Sequence, residues 1–323
     1  MTVTGPVNIS GFKGSALHTA GADSVISVGG GTISTAADAD KSHNFYAARV
    51  EKGTVNINMK NGAPGSARTN IIGDMYVTGQ YGKKVIEYSG GQLADWQHRG
   101  NLHVALTDKD SSWTGVAAYE QYNDNYGSGG NTMHDIGNFD LYLQNGATWT
   151  NEQQSHVTTT TLAGKNPVYN GSYLMKLHGG SDAVHKGYIY QKDSKPITVD
   201  NYSGHTLVFY DHTGDGSAAE NYSAGDFRIK TAEEGSSITL RTGAGGINTA
   251  DKTAAGKALN SLANKLYYMS YAQGDTKLKG TVEIAEGLTS SSVSASGDIA
   301  FRTDTAADKN GQGTYAVSYT HLT

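Results

Sequence analysis

Short runs of alternating apolar and polar residues recur along the whole chain, and they constrain its fold more than any other feature. Examples are Val55–Met59, Leu102–Leu106, Phe139–Leu143 and Phe227–Lys230. Within each run the apolar side chains stand two residues apart, which is the period of a β-strand with one buried face. Gly, Asn, Ser or Asp follows within a few residues, which indicates turns after short strands. The pattern predicts an all-β protein.

The strand-and-turn unit returns about every 10 to 25 residues, as it does in coiled all-β architectures. Hydrophobic residues make up 37% of the chain, which suits a coil with a narrow core. A β-sandwich would use only about 100 residues. The repetition therefore favours a parallel β-helix, or solenoid, of about a dozen rungs and roughly 60 Å in length.

Composition and charge exclude several classes of protein. The formal net charge is −5 and no cluster of Lys or Arg occurs, so a nucleic-acid partner is not expected. No run of apolar residues is long enough to cross a membrane as a helix. The absence of cysteine excludes disulfides, thiol catalysis and Cys-based zinc sites. It is compatible with export through a narrow pore, and a cytosolic protein that lacks cysteine is the alternative.

One segment departs from the β pattern. Near residues 253–270 the chain is rich in alanine, and Leu259, Leu262, Leu266 and Met269 recur at helical spacing. We expect a short amphipathic helix there that covers a rung of the β-helix.

Residues 119–134 are too polar and too rich in glycine for a core strand, and they are predicted to be a loop inserted between strands. Tyr119, Tyr122 and Tyr126 are the candidate binding residues, because exposed tyrosines can anchor a sugar or a protein partner.

Three segments resemble known proteins. Residues 258–268 and 278–289 look like parts of the passenger domains of bacterial autotransporters, and Asn145–Trp149 resembles a turn-and-tryptophan unit common in those passengers. The likeness is diffuse over most of the chain and sharper in residues 140–150 and 255–301. The resemblance to pertactin-like, adhesin-type passengers implies a right-handed parallel β-helix that is exported through the outer membrane by its own C-terminal β-barrel.

The ends of the chain differ from that family pattern. The first residues contain no charged segment followed by an apolar stretch, and no barrel strands are recognised, so we expect a fragment of a longer protein. Residues 317–323 are unlike those that precede them and are predicted to be a non-native tail. Residues 1–316 are then a single passenger domain.

No catalytic or metal-binding motif is recognised. Arg228–Lys230 with Gly204–His205 superficially resembles a polygalacturonase signature, but the clustered aspartates of that chemistry do not accompany it. A Gly-x-Ser-x-Gly elbow is missing, and the histidine spacings do not match His-Glu-x-x-His. Asp211, Asp215 and Glu220 lie in a glycine-rich turn without a known calcium-loop spacing. We therefore expect no catalytic residue, no metal and no cofactor.

The sequence favours a non-catalytic passenger on a bacterial surface, which mediates adhesion or acts as a stalk and is a monomeric rod. Its expected partner is a host surface, extracellular matrix, a glycan or a neighbouring bacterial cell. A carbohydrate-active β-helix enzyme, either a polysaccharide lyase or a hydrolase, is one alternative and would need two or three carboxylates converging in a groove. A trimeric fibre like a phage tail-spike is the other.

Overall fold

The computed structural model describes residues 1–35, 45–77, 100–119, 137–155, 169, 171–211, 222–242, 252–271, 275–284, 295–301 and 316–321. These residues form short β-strands and one helix, and most strand pairs are parallel. The prediction of an all-β protein is confirmed.

The strands are β1 Thr2–Val3, β2 Val7–Gly11, β3 Leu17–Thr19, β4 Val25–Val28, β5 Gly31–Thr35, β6 Tyr46–Val50, β7 Gly53–Ile57, β8 Met59–Lys60, β9 Ala63–Pro64, β10 Thr69–Ile72, β11 Asp74–Val77, β12 Gly100–Leu106, β13 Ser112–Thr114, β14 Ala117–Tyr119, β15 Asn138–Leu143, β16 Thr148–Asn151, β17 Ser172–His178, β18 Gly187–Gln191, β19 Ile197–Ser203, β20 His205–Tyr210, β21 Phe227–Ala232, β22 Ser236–Thr242, β23 Leu266–Tyr268, β24 Leu278–Ile284, β25 Ala295–Ala300 and β26 Ala316–His321. The helix α1 spans Lys252–Ala263.

The chain divides into two compact units. Unit 1 comprises Met1–Tyr142 and Gln153–Leu174, and unit 2 comprises Leu143–Glu152 and Met175–Thr323. In unit 1, three sheets have the strand orders β1-β4-β7-β12-β15, β2-β5-β10-β13 and β3-β6-β11-β14. A passage of the chain such as β4-β5-β6 places one strand in each sheet, and the next passage adds the neighbouring strands.

In unit 2 the described strands belong to two sheets. One sheet has the order β16-β18-β20-β22-β24-β25-β26, and a second has the order β17-β19-β21-β23. The pairings from β16 to β24 are parallel, whereas β25 and β26 are added in antiparallel orientation. None of the sheets that the described residues form closes on itself.

Apolar side chains are buried in columns that run across neighbouring strands. In unit 1, Ile33, Ile71 and Trp113 occupy matching register positions of β5, β10 and β13, and all three are fully buried. The alternation within each strand produces this arrangement, because Leu102 of β12 is buried while the next residue, His103, lies half-exposed on the opposite face. The sheet that contains β12 therefore has an apolar core face and a polar outer face.

The predicted helix is present but shorter than expected. α1 packs against β22 and β24, and Leu259 and Leu262 are fully buried. The prediction that the helix continues to residue 270 is wrong, because Leu266 lies in β23 and Met269 is 51% exposed. The backbone of β23 pairs in parallel with β21, and these sheet hydrogen bonds replace the helical ones that the leucine spacing predicted.

The Asn-Gly turn predicted at residues 145–146 is confirmed. Asn145 and Gly146 have φ angles of 56° and 83°, and Trp149 in the strand that follows is fully buried. The Asn145 N–H donates a hydrogen bond of 2.8 Å to the carbonyl oxygen of His185, which fixes the turn within unit 2.

Candidate functional site

A row of polar side chains crosses the outer face of one sheet in unit 1. Ser27 of β4, Asn56 of β7 and His103 of β12 occupy matching register positions. Asn56 Nδ2 donates a hydrogen bond of 3.2 Å to Ser27 Oγ, and His103 Nδ1 lies 3.3 Å from Oδ2 of Asp140 in β15. These four residues are termed the polar row.

A second set of amides runs beside the polar row on the same face. Asn138 Nδ2 donates a hydrogen bond of 2.6 Å to Asn101 Oδ1, and Asn101 Nδ2 donates one of 3.4 Å to the carbonyl oxygen of Gly53. These bonds join the side chains of β15 and β12 to each other and to the backbone of β7, in addition to the backbone ladder. They therefore help to fix the spacing between the residues of the polar row.

A hairpin stands next to the polar row. β8 and β9 pair in antiparallel orientation, and Asn61 and Gly62, with φ angles of 50° and 78°, connect them. Two successive positive φ angles define a type I′ turn, for which Asn-Gly is a preferred pair. The predicted strand Val55–Met59 is thus wrong at its end, since β7 stops at Ile57 and Asn58 has a φ of 53°.

The Asn58 side chain holds both ends of this hairpin. It is buried, and its Nδ2 lies 2.9 Å from the carbonyl oxygen of Ala67, 3.0 Å from that of Ala105 and 3.2 Å from that of Gly65. Its Oδ1 accepts a hydrogen bond of 3.2 Å from the Ala67 N–H. The Asn58 amide therefore links the residue before the hairpin to the segment that follows the hairpin and to the neighbouring strand β12.

The polar row and the hairpin line a groove of about 380 Å³. Its lining residues in the described part of unit 1 are Ser27, Asn56, Met59, Asn61, Gly62, His103, Asp140 and Tyr142. None of these eight residues is Lys or Arg, and Asp140 supplies the one carboxylate among them. The groove thus presents amides, hydroxyls, an imidazole and a single acidic group.

Tyr142 contributes a neutral phenol to this set. Burial raises the pKa of the Tyr142 hydroxyl, and the negative charge of Asp140 raises it further. Both effects disfavour the phenolate, so the Tyr142 hydroxyl is protonated at neutral pH. It can both donate and accept a hydrogen bond.

The described lining of the groove contains several hydrogen-bonding groups and one carboxylate. A glycosidase uses two carboxyl groups about 5 to 10 Å apart, and the described lining provides only Asp140. In the described part of the chain, no group of three or more His, Asp or Glu side chains could hold a metal ion. Of the calcium candidates, Asp211 is described, whereas Asp215 and Glu220 lie outside the described residues.

The tyrosines proposed from the sequence do not line this groove as far as the structure describes them. Tyr119 is the last residue of β14, is half-buried, and has its ring centroid 5.2 Å from that of Tyr173. Tyr122 and Tyr126 lie outside the described residues, as does most of the 119–134 segment. The binding role of these three tyrosines stays a prediction.

Sequence reasoning missed the groove, although one signal for it was present. Asn61-Gly62 is a strong hairpin signal, and it would have placed a turn close to Met59. The polar row was visible only as polar residues within separate strands. Its members meet through strand pairing, for which the sequence carries no local mark.

Comparison with protein-family models, with curated proteins and with solved structures gives no match for this chain. In the described part of the chain, no helix has the length and apolar character needed to span a membrane.

Proposed function

We propose that this chain is a non-catalytic passenger of the autotransporter type, displayed on a bacterial surface, and that the groove in unit 1 binds its ligand during adhesion. The observation that carries this proposal is the groove itself. It is a ligand-sized site on a paired sheet, and its described lining offers many hydrogen-bonding groups but one carboxylate.

For each unit we propose a right-handed parallel β-helix. Each passage of the chain adds one strand to each sheet beside the strand of the previous passage, and this is how a β-helix is built. Crossovers between parallel strands are right-handed in nearly all proteins, because the strand twist favours that hand.

Such an architecture suits a displayed binding protein. Paired strands align their outer side chains in rows, so a binding surface is held by the backbone and needs little ordering when the ligand arrives. The absence of cysteine is compatible with export through a narrow pore. The partners we propose are a host surface, extracellular matrix, a glycan or a neighbouring bacterial cell, contacted by a monomer.

The test is adhesion by bacteria that display the chain. The chain is fused to an export signal and an outer-membrane anchor, and binding of the cells to host cells, matrix proteins and glycan-coated surfaces is measured. We expect adhesion above that of cells carrying the anchor alone, and its loss in the double variant Asn56→Ala/His103→Ala.

A matched control is available on the same unit. Asn8 is an exposed strand residue, and His18 lies 3.4 Å from a carboxylate oxygen of Glu51, so Asn8→Ala/His18→Ala removes the same side-chain types elsewhere. It should leave adhesion unchanged at equal display. Adhesion equal to that of the anchor alone, or equal loss in both double variants, would refute the proposal.

A carbohydrate-active enzyme is the second candidate, and the contact between His103 and Asp140 favours it. A carboxylate that orients an imidazole is a common arrangement for a general base. Release of new reducing or unsaturated sugar ends from polysaccharides, abolished by His103→Ala, would replace the adhesion proposal with this one. A trimer in light scattering would instead favour a tail-spike-like fibre.

A further inference from the structure

We infer that the groove in unit 1 binds a neutral carbohydrate and discriminates against anionic ones. This inference rests on the proposed function, because it takes the groove as the ligand site. It goes further by assigning the chemical class of the ligand. Three properties of the described lining support it: charge, hydrogen-bonding capacity, and the nature of the hairpin wall.

Charge excludes an anionic ligand. The described lining has no Lys or Arg, and Asp140 would repel a carboxylate or sulfate placed in the groove. His103 is not an independent counter-charge for such a group, because its Nδ1 already faces Asp140 at 3.3 Å. A bound anion would therefore lose water without gaining a charged partner, and this is how sites reject a competing ligand.

The hydrogen-bonding groups match neighbouring sugar hydroxyls. Each hydroxyl of a sugar can donate and accept, and the side chains of Asn56 and Asn61 offer both functions as well. The Tyr142 phenol is held in its protonated form by burial and by the Asp140 carboxylate, so it can donate to one sugar hydroxyl and accept from another. Since Asn56 Nδ2 already donates to Ser27, the orientation of this amide is fixed before a ligand binds.

The hairpin supplies an apolar and open wall. Met59 is half-buried at the groove, and its flexible thioether side chain can pack on the C–H face of a pyranose ring. Gly62 at the turn has no side chain and has free space around its Cα, so the backbone leaves room beside the ligand. The volume of about 380 Å³ lies near the lower end of the range for small-molecule sites and suits one or two sugar residues.

The experiment uses the purified full chain and a panel of glycans matched in size. The panel contains neutral hexose and N-acetylhexosamine oligosaccharides, their uronate, sialylated and sulfated counterparts, and a cationic glucosamine oligosaccharide. We expect binding of a neutral member in calorimetry, at least tenfold tighter than that of its anionic counterpart. Asn56→Ala and Tyr142→Phe should each weaken it by about tenfold, whereas Asn8→Ala should not change it.

A charge variant tests the selectivity directly. Asn61 is exposed at the turn of the hairpin, so Asn61→Lys adds a cation to the groove rim without altering the polar row. Binding of sulfated or uronate glycans should rise by about tenfold relative to binding of the neutral glycan, which loses the Asn61 amide in this variant.

Two results would overturn the inference: tighter binding of the anionic or cationic members by the unaltered chain, or no binding of any neutral glycan. If displayed cells still adhere through Asn56 and His103 in either case, the proposed function stands and only the ligand class is wrong. If displayed cells do not adhere while a neutral glycan binds the purified chain, the adhesion proposal fails and the ligand class stands.

Discussion

Replacement of Asn58 tests whether its amide holds the hairpin that lines the groove. Asn58→Gly is the informative change, because glycine accepts the observed φ of 53° and removes only the side chain. Asn58→Ala removes the same amide and also places a Cβ in the left-handed conformation, which costs about 1–2 kcal/mol. The difference between the two variants separates the backbone effect from the hydrogen bonds.

The expected loss follows from the contacts of the amide. Asn58 is 3% exposed, its Nδ2 serves three carbonyl oxygens, and its Oδ1 accepts from the Ala67 N–H. With two N–H groups and one oxygen engaged, and about 0.5–1.5 kcal/mol net for each hydrogen bond, Asn58→Gly should lower the stability by about 2–4 kcal/mol. Asn58→Ala should lose about 1 kcal/mol more.

Hydrogen exchange is the appropriate assay, because it reports on local opening of the hairpin as well as on global unfolding. In Asn58→Gly, the Ala67 amide should exchange about 30- to 700-fold faster, since 1.4 kcal/mol corresponds to a factor of about ten. Asn61→Gly is the control, because Asn61 is exposed and also has a positive φ. Unchanged exchange of Ala67 in Asn58→Gly would refute the role of the amide, and equal acceleration in the control would show that any change in the hairpin has this effect.

Three further predictions concern stability. Asp74 is fully buried and accepts hydrogen bonds from three backbone N–H groups, so Asp74→Ala should lower the free energy of unfolding by about 3–5 kcal/mol in urea titration. Phe209 stacks on Tyr190 with ring centroids 4.6 Å apart, and Phe209→Ala should cost about 1–2 kcal/mol in thermal melts, more than Phe209→Leu. The hydrogen bond to His185 and those from backbone N–H groups lower the pKa of Asp182. The stabilising contribution of the Asp182 carboxylate should therefore be present at neutral pH and be lost as the pH falls below about 4. Carbon NMR of the carboxyl follows its protonation, and the variant Asp182→Asn should be insensitive to pH in that range.

The strands were predictable because alternation is a local property of the sequence. In β15, the apolar residues at every second position are buried and the residues between them are half-exposed, and the first four residues of β21 follow the same pattern. Arg228 and Lys230 alternate with the buried Phe227 and Ile229; both are half-exposed, and Arg228 pairs with Asp226 at 3.3 Å. No contact outside the strand is needed for this inference.

Where prediction failed, hydrogen bonds from distant residues decided the local structure. Met59 continues the alternation of β7, yet the chain turns at Asn58, whose amide contacts the carbonyl oxygen of Ala105 in another strand. Leu266 continues the leucine spacing of α1, yet pairing with β21 places it in a strand. In both cases the spacing of the apolar side chains is compatible with two local structures. Contacts with residues far along the chain determine which of the two forms.

The groove could not be derived from spacing, because its residues follow no fixed period. Ser27 and Asn56 are 29 residues apart, whereas His103 and Asp140 are 37 apart, since the turns between strands differ in length. What aligns the site is the register of the sheet.

The register that aligns the groove is set by the core on the opposite face. The pairing that places Val55 beside Leu102 also places Asn56 beside His103. A slip of one residue would move the apolar side chains out of the core, so burial enforces the alignment of the outer face. Substitutions within the polar row leave this register intact, because its side chains lie half-exposed on the outer face. The specificity of the groove can therefore change without loss of the fold, whereas an insertion in β7 or β12 should abolish both together.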